Sequence, residues 1–180
     1  MDIEIDAQAK DKRLNRIVAL TVVVLSIFMG LGQVKDGNIV QAMDQAQANA
    51  VDRWGEYQAT RTKLHIDETA VAQARVVPGL AGEQVRLTAE IAKYEKEAPQ
   101  LRRQAESFQS QYDALNVHDD QFDASDAAIG VAVAVAAVAA LSESFLALFA
   151  AWTFGAFGVV MGLAGFLGWA LKSPLASLLS

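Results

Sequence analysis

The chain has no cysteine, only three prolines and only two histidines among its 180 residues. Without cysteine there are no disulfides, thiolate metal sites, iron–sulfur clusters or thiol nucleophiles. Two histidines, His65 and His118, stand far apart and offer no zinc-ligand spacing. No glycine-rich phosphate loop follows a strand, because no strand pattern is visible. The net charge of −6 argues against a general nucleic-acid binder, since phosphate neutralisation needs clustered bases.

Charge itself is missing from two stretches. Residues 17–34 carry none, and 127–171 carry only Glu143. The intervening 35–126 hold ten Lys and Arg against sixteen Asp and Glu. The hydrophobic fraction of 53% is thus an average over apolar and polar parts. The pattern predicts an all-α integral membrane protein with three transmembrane helices and a long antiparallel coiled-coil-like helical hairpin between the first and second.

Residues 1–16 form a polar lead ending in Lys10, Lys12, Arg13 and Arg16. Residues 17–34 read as the first span, within the range that crosses a bilayer. Its only small-residue exit, Gly30-Leu31-Gly32, is a poor cleavage site, so the segment reads as a signal anchor. Residues 35–126 read as the hairpin. Its first arm, 38–74, places Ile39, Met43, Ala46, Ala50, Tyr57, Leu64 and Val71 at steps of four and three, with Arg53, Thr60 and Asp67 breaking the register. Trp54 lies one place off that seam. Pro78, Gly79 and Gly82 mark the reversal. The second arm, 83–116, carries an unbroken seam of Leu87, Ile91, Tyr94, Ala98, Leu101, Ala105, Phe108, Tyr112 and Leu115. Pro99 falls off the seam and predicts a kink.

Residues 116–126 are acidic and read as the lead-in to the next helix, with Ser125 or Asp126 as N-cap and Phe122 dipping into the membrane interface. Residues 127–141 read as the second span and 145–171 as the third. Ser142-Glu143-Ser144 forms the turn, Trp152 and Trp169 act as interface anchors, and Lys172 and Pro174 end the helix. The tail 172–180 is apolar enough to lie on the bilayer. Four bases precede the first span, only Lys35 follows it closely, and none falls between Arg103 and Asp126 before the second span, which predicts a cytoplasmic N-terminus and an extracytoplasmic hairpin.

Ala151, Gly155, Gly158, Gly162 and Gly165 recur at steps of four and three, a strip that lets helix backbones approach closely in lipid. The partner expected for it is the second span, through Ala132, Ala136, Ala139 and Ala140. His118, Asp119, Asp120 and Asp123 lack the glycine bend and distal Glu of a calcium loop, and read as a solvated segment. Ser142 and Ser144 have no base nearby in sequence.

The strings NRIVALTVVVLS (15–26), YEKEAP (94–99) and NVHDDQFDASDA (116–127), followed by a glycine-rich apolar end, resemble the domain-of-unknown-function 4337 family of small bacterial membrane proteins. The likeness runs from about Asn15 to Gly168. It implies a bacterial inner-membrane location and carries over no activity and no catalytic residue. The expectation is a structural or interaction protein, self-associating or an accessory subunit, and not an enzyme. It is expected to need no cofactor or metal and to have lipid and other membrane subunits as its partners. The alternative is an oligomeric channel or transporter lined by the first span, where Thr21, Ser26 and Gln33 are the polar groups.

Overall fold

The computed structural model describes residues 2–169, with side chains from residue 12 onward. Three helices account for nearly all of them: α1, Asp2–Ala74; α2, Ala81–Leu141; and α3, Phe145–Leu167. Each holds a stretch long and apolar enough to cross a membrane. Two compact units are formed, Met1–Gln41 with Leu115–Ser180, and Ala42–Ala114.

α1 and α2 are longer than the sequence reading drew them. Lys35, Asp36 and Gly37 are helical, so the first span and the first arm belong to one helix. Residues 116–126 are helical as well, and neither Ser125 nor Asp126 is an N-cap. That correction has a packing cause: Gln121, Phe122, Ala124 and Ser125 are buried side chains of the first unit, not a solvated lead-in. Phe122 is 1% exposed, its ring packed inside the bundle rather than turned outward.

The breaks fall where the backbone chemistry requires them. Pro78 disfavours helical backbone at the preceding residue, and Gly79 has φ +94°, a conformation open to glycine. α2 ends at Leu141, and Glu143 takes the left-handed region with φ 52°. Ser144 then caps α3, its hydroxyl accepting from the Ala147 amide at 3.4 Å. α3 closes at Gly168, φ 70°, whose N–H donates to the Ala164 carbonyl. The helix therefore stops short of residue 171; Lys172 and Pro174 lie outside the described residues.

The first unit is built in levels, with α2 antiparallel to α1 and α3. At one end Leu14 and Val18 of α1 meet Ala136 and Ala139 of α2 and Leu148 and Ala151 of α3. Leu25 then packs with Ile129 and Ala132. At the other end Phe122 lies edge-on to Phe166, centroids 5.2 Å apart, and Phe28 makes the same contact with Phe166 at 6.2 Å. The interior is rich in alanine and glycine, while Leu20, Val23, Val24, Ile27, Leu31, Leu146, Phe149, Phe154 and Val160 face outward. So many large apolar side chains facing outward around an interior rich in small residues suits a bundle whose surroundings are lipid.

In the second unit, residues of α1 and α2 line a common crevice: Tyr57 and Leu64 from the first, Ala98 and Arg102 from the second. Buried within this unit are Met43, Ala46, Ala50, Thr60, Leu64, Val71 and Ala74 of α1 and Leu87, Ala98, Leu101 and Ala105 of α2. Outward faces carry local ion pairs, Arg86 with Glu83 and Glu90, and Arg102 with Glu106. Such exposed pairs contribute little to stability.

Candidate functional site

All five members of the small-residue strip, Ala151, Gly155, Gly158, Gly162 and Gly165, are buried on α3. Their neighbours come from two helices. A Cβ on Gly155 would stand 3.0 Å from Leu25 Cδ1 and 3.6 Å from Ala132 Cβ. On Gly158 it would meet Ile129 Cγ1 at 2.7 Å and the Ser125 carbonyl at 3.0 Å. On Gly162 it would meet the Phe28 ring at 2.6 Å and Ser125 Oγ at 2.8 Å. On Gly165 it would meet the Phe122 ring at 2.7 Å. The strip is thus a groove that receives α2 and the Leu25–Phe28 face of α1. Of the expected partners, Ala132 stands against the strip at Gly155, while Ala136 and Ala139 cluster with Ala151 and Leu148 nearer the turn. Leu25, Phe28, Phe122 and Ser125 were missed by the sequence reading.

A signal for the missing α2 residues was present. Phe122, Ser125, Ile129, Ala132, Ala136 and Ala139 follow steps of three and four, and all six are buried. The acidic residues between them hid the pattern.

The nine seam positions of the second arm divide by burial. Leu87, Ala98, Leu101 and Ala105 are buried, while Ile91, Tyr94, Phe108, Tyr112 and Leu115 are half-buried. Leu115 belongs to the first unit, the other eight to the second. Of the register breaks in α1, Thr60 is buried, Arg53 is paired with Glu56, and Asp67 keeps one oxygen buried without a hydrogen-bond partner. Trp54 stands edge-on to Tyr57, centroids 5.6 Å apart.

One end of the first unit is polar. Gln121, fully buried, donates from Nε2 to the Trp169 carbonyl at 2.6 Å and lies 3.2 Å from His118 Nδ1. Asn116 reaches Asp120 at 3.5 Å. Asp36 of α1 lies near Asp119, Asp123 and Asp126 of α2, and its Oδ1 is buried without a partner. Burial pushes the Asp36 carboxyl up to about 6, and the negative charges of Asp119, Asp123 and Asp126 push the same way. Asp119 is raised too, first by burial and then by Asp123. Among the described residues, no three His, Cys, Asp or Glu side chains are grouped to hold a metal ion. Elsewhere in the first unit, Trp152 Nε1 donates to Thr21 Oγ1 at 3.0 Å, tying α3 to α1.

No curated protein and no solved structure matches the chain. One family's sequence model does, over residues 14–168, which takes in the apolar stretches of all three helices and the polar residues 35–126. The chain therefore belongs to the family described as domain of unknown function DUF4337.

Proposed function

We propose that the chain is a membrane-anchored helical structural or interaction protein of the bacterial inner membrane. In this reading it self-associates or serves as an accessory subunit of a larger membrane complex. The N-terminus is cytoplasmic. The α1 and α2 segments of the second unit form an antiparallel coiled-coil-like hairpin on the extracytoplasmic side. The unbroken seam of α2 and the crevice shared by Tyr57, Leu64, Ala98 and Arg102 support the hairpin.

The observation that carries the reading is the outer face of α1. Ser26, Gly30 and Gln33 are exposed there, along one side of a helix otherwise lined with Val and Leu, and nothing lies within 4 Å of a Cβ on Gly30. In hydrocarbon, a serine and a glycine four apart allow close helix approach, and an amide gains from an interhelical hydrogen bond. An amide both donates and accepts, so Gln33 is complementary to its own copy across a two-fold axis. Mass measurement in mild detergent tests the reading. The expected result is a multiple of the 19.3 kDa protomer, or the protomer with a second membrane protein. A lone protomer at micromolar concentration, with no partner in its native membrane, overturns it.

The same face favours one second reading, an oligomeric channel or transporter lined by α1. Ser26 and Gln33 would then face a pore. Ion flux in liposomes that changes on Ser26→Ala or Gln33→Leu supports this reading, and background conductance defeats it.

A further inference from the structure

Every residue from Arg75 to Glu83, across the turn that joins α1 to α2, is exposed. Val76, Val77 and Leu80 lie in it, and Val85 follows at the start of α2. Val76 is 81% exposed and Val85 73%, while the flanking Val71, Ala74 and Leu87 are buried. The core of the second unit is thus closed before the turn begins, and these apolar side chains stand outside it. A cluster of that kind at a protruding turn marks a binding surface. We propose that this turn docks on an anionic lipid surface, that of a second bilayer facing the one the three apolar stretches cross.

Charge selects the occupant. The second unit as a whole holds nine Lys and Arg against eleven Asp and Glu. Between residues 69 and 89 the balance reverses, and the charged side chains are Arg75, Arg86 and Glu83. Glu83 is held by Arg86, and Arg75 forms no ion pair among the described residues. Arg75 therefore presents a free guanidinium beside the exposed valines, a group that binds phosphate through two parallel hydrogen bonds. Leu80 stands at the cap position of α2 and brings no side-chain oxygen to its first amides. The positive end of the helix dipole adds to the attraction for anionic headgroups. The apolar side chains then enter the acyl boundary while the guanidinium stays at headgroup level.

A second copy is a poor occupant, because contact between two such turns would set Arg75 against its own copy. A protein partner would have to supply a groove matched to the turn, whereas a bilayer takes protruding apolar side chains of any shape. Residues 42–74 are helical throughout, a rise of about 50 Å at 1.5 Å per residue. The turn follows the end of that segment away from the first unit's residues. Such a spacing carries it beyond the headgroups of the anchoring bilayer, so the surface it meets belongs to another. This step rests on the reading of the first unit as the membrane anchor.

The full chain in phosphatidylcholine nanodiscs, mixed with sucrose-loaded vesicles of phosphatidylglycerol and phosphatidylethanolamine, tests the docking. Nanodiscs bearing the chain should sediment with the vesicles, and empty ones should not. Vesicles of phosphatidylcholine should bind more weakly. Val76→Ser combined with Val77→Ser should weaken binding about tenfold or more. Arg75→Gln should remove the preference for phosphatidylglycerol, and Val51→Ser, at an exposed valine elsewhere on α1, should leave binding unchanged. Because the chain has no cysteine, Val77→Cys can carry a single fluorophore on an otherwise native sequence. A nitroxide lipid in the vesicle should quench it, and one in the nanodisc should not. No sedimentation, binding that survives the valine replacements, or quenching from the nanodisc alone overturns the proposal. So does pairing of nanodiscs without vesicles that those replacements abolish, which assigns the turn to a second copy. A chain that fails to enter the nanodisc overturns the membrane reading and the docking with it, while entry without vesicle binding overturns the docking alone.

Discussion

The Ser125 carbonyl oxygen lies 3.0 Å from the point a Cβ on Gly158 would occupy, so α2 and α3 meet there backbone to backbone. Ile129 Cγ1 is closer still, at 2.7 Å. A backbone neighbour cannot rotate away, so Gly158→Ala must force the helices apart. Overpacking of this kind costs about 1–3 kcal/mol, and Gly158→Leu should cost more. At Gly162 the obstacles are the Phe28 ring and the Ser125 hydroxyl, side chains that can shift, so Gly162→Ala should cost less. Thermal melting in detergent should rank the variants wild type, Gly162→Ala, Gly158→Ala, Gly158→Leu in falling order. Equal melting of all four would mean that the strip faces lipid.

Gly55 presents the opposite case. It is helical and exposed, with nothing within 4 Å of an added Cβ. Alanine there should stabilise α1 by up to about 1 kcal/mol through helix propensity. A rise in melting temperature, followed by circular dichroism, is the expected result. A fall would indicate that another chain covers this face.

The pH dependence of stability has a definite sign. The folded Asp36 carboxyl binds its proton more tightly than an unfolded aspartate, at about 6 against an ordinary 3.8. Its favourable contribution is complete below about pH 4, falls as pH rises toward 6, and is gone above. This is the reverse of an ion-paired carboxylate. Unfolding of the wild type should show a decline over that window, and Asp36→Asn should flatten it. A decline unchanged in the variant would assign it to other groups.

Topology is accessible through the turn between α1 and α2. Gly79 is a poor site for a probe, since its φ of +94° would strain any side chain. Val76 is better: it is 81% exposed and precedes the turn proline. Val76→Cys should react with an impermeant thiol reagent in intact spheroplasts. Labelling only after lysis would place the segment on the cytoplasmic side.

The three apolar helices were legible because hydropathy is a property of composition over a window, and 17–34 and 127–171 are nearly free of charge. The glycine strip was legible because spacing alone puts small residues on one helix face. The second span was named as its partner from its alanines, and what could not be read was the part α1 takes in filling it. Leu25 and Phe28 look like any other apolar residues of a lipid-facing span, and only packing against Gly155 and Gly162 distinguishes them. The acidic segment misled for a related reason. Asp119, Asp120, Asp123 and Asp126 signal solvent, yet Phe122 and Ser125 among them are core residues at helical spacing. Asp36 gave no signal at all, since its neighbours come from a helix more than 80 positions away.

The last prediction separates association from the packing of the second unit itself. Leu101 is 8% exposed, so it already has its partners within the unit. Replacing it by serine removes a buried side chain, a loss of about 2–5 kcal/mol for large-to-small core changes, and should lower the melting temperature of the arms. Phe108 is only half-buried and borders a crevice with Arg53, Gln104 and Ser107. An aromatic ring left partly in water can gain from cover supplied by another chain. Phe108→Ser should therefore reduce assembly while leaving melting and membrane insertion close to wild type. Gln33→Leu probes the alternative contact, through α1 in the bilayer. Native mass measured in parallel for the two variants decides between them. A drop toward the 19.3 kDa protomer with Phe108→Ser assigns association to the arms, and a drop with Gln33→Leu assigns it to the span. If neither variant shifts the mass of an assembled wild type, both surfaces are excluded as its contacts.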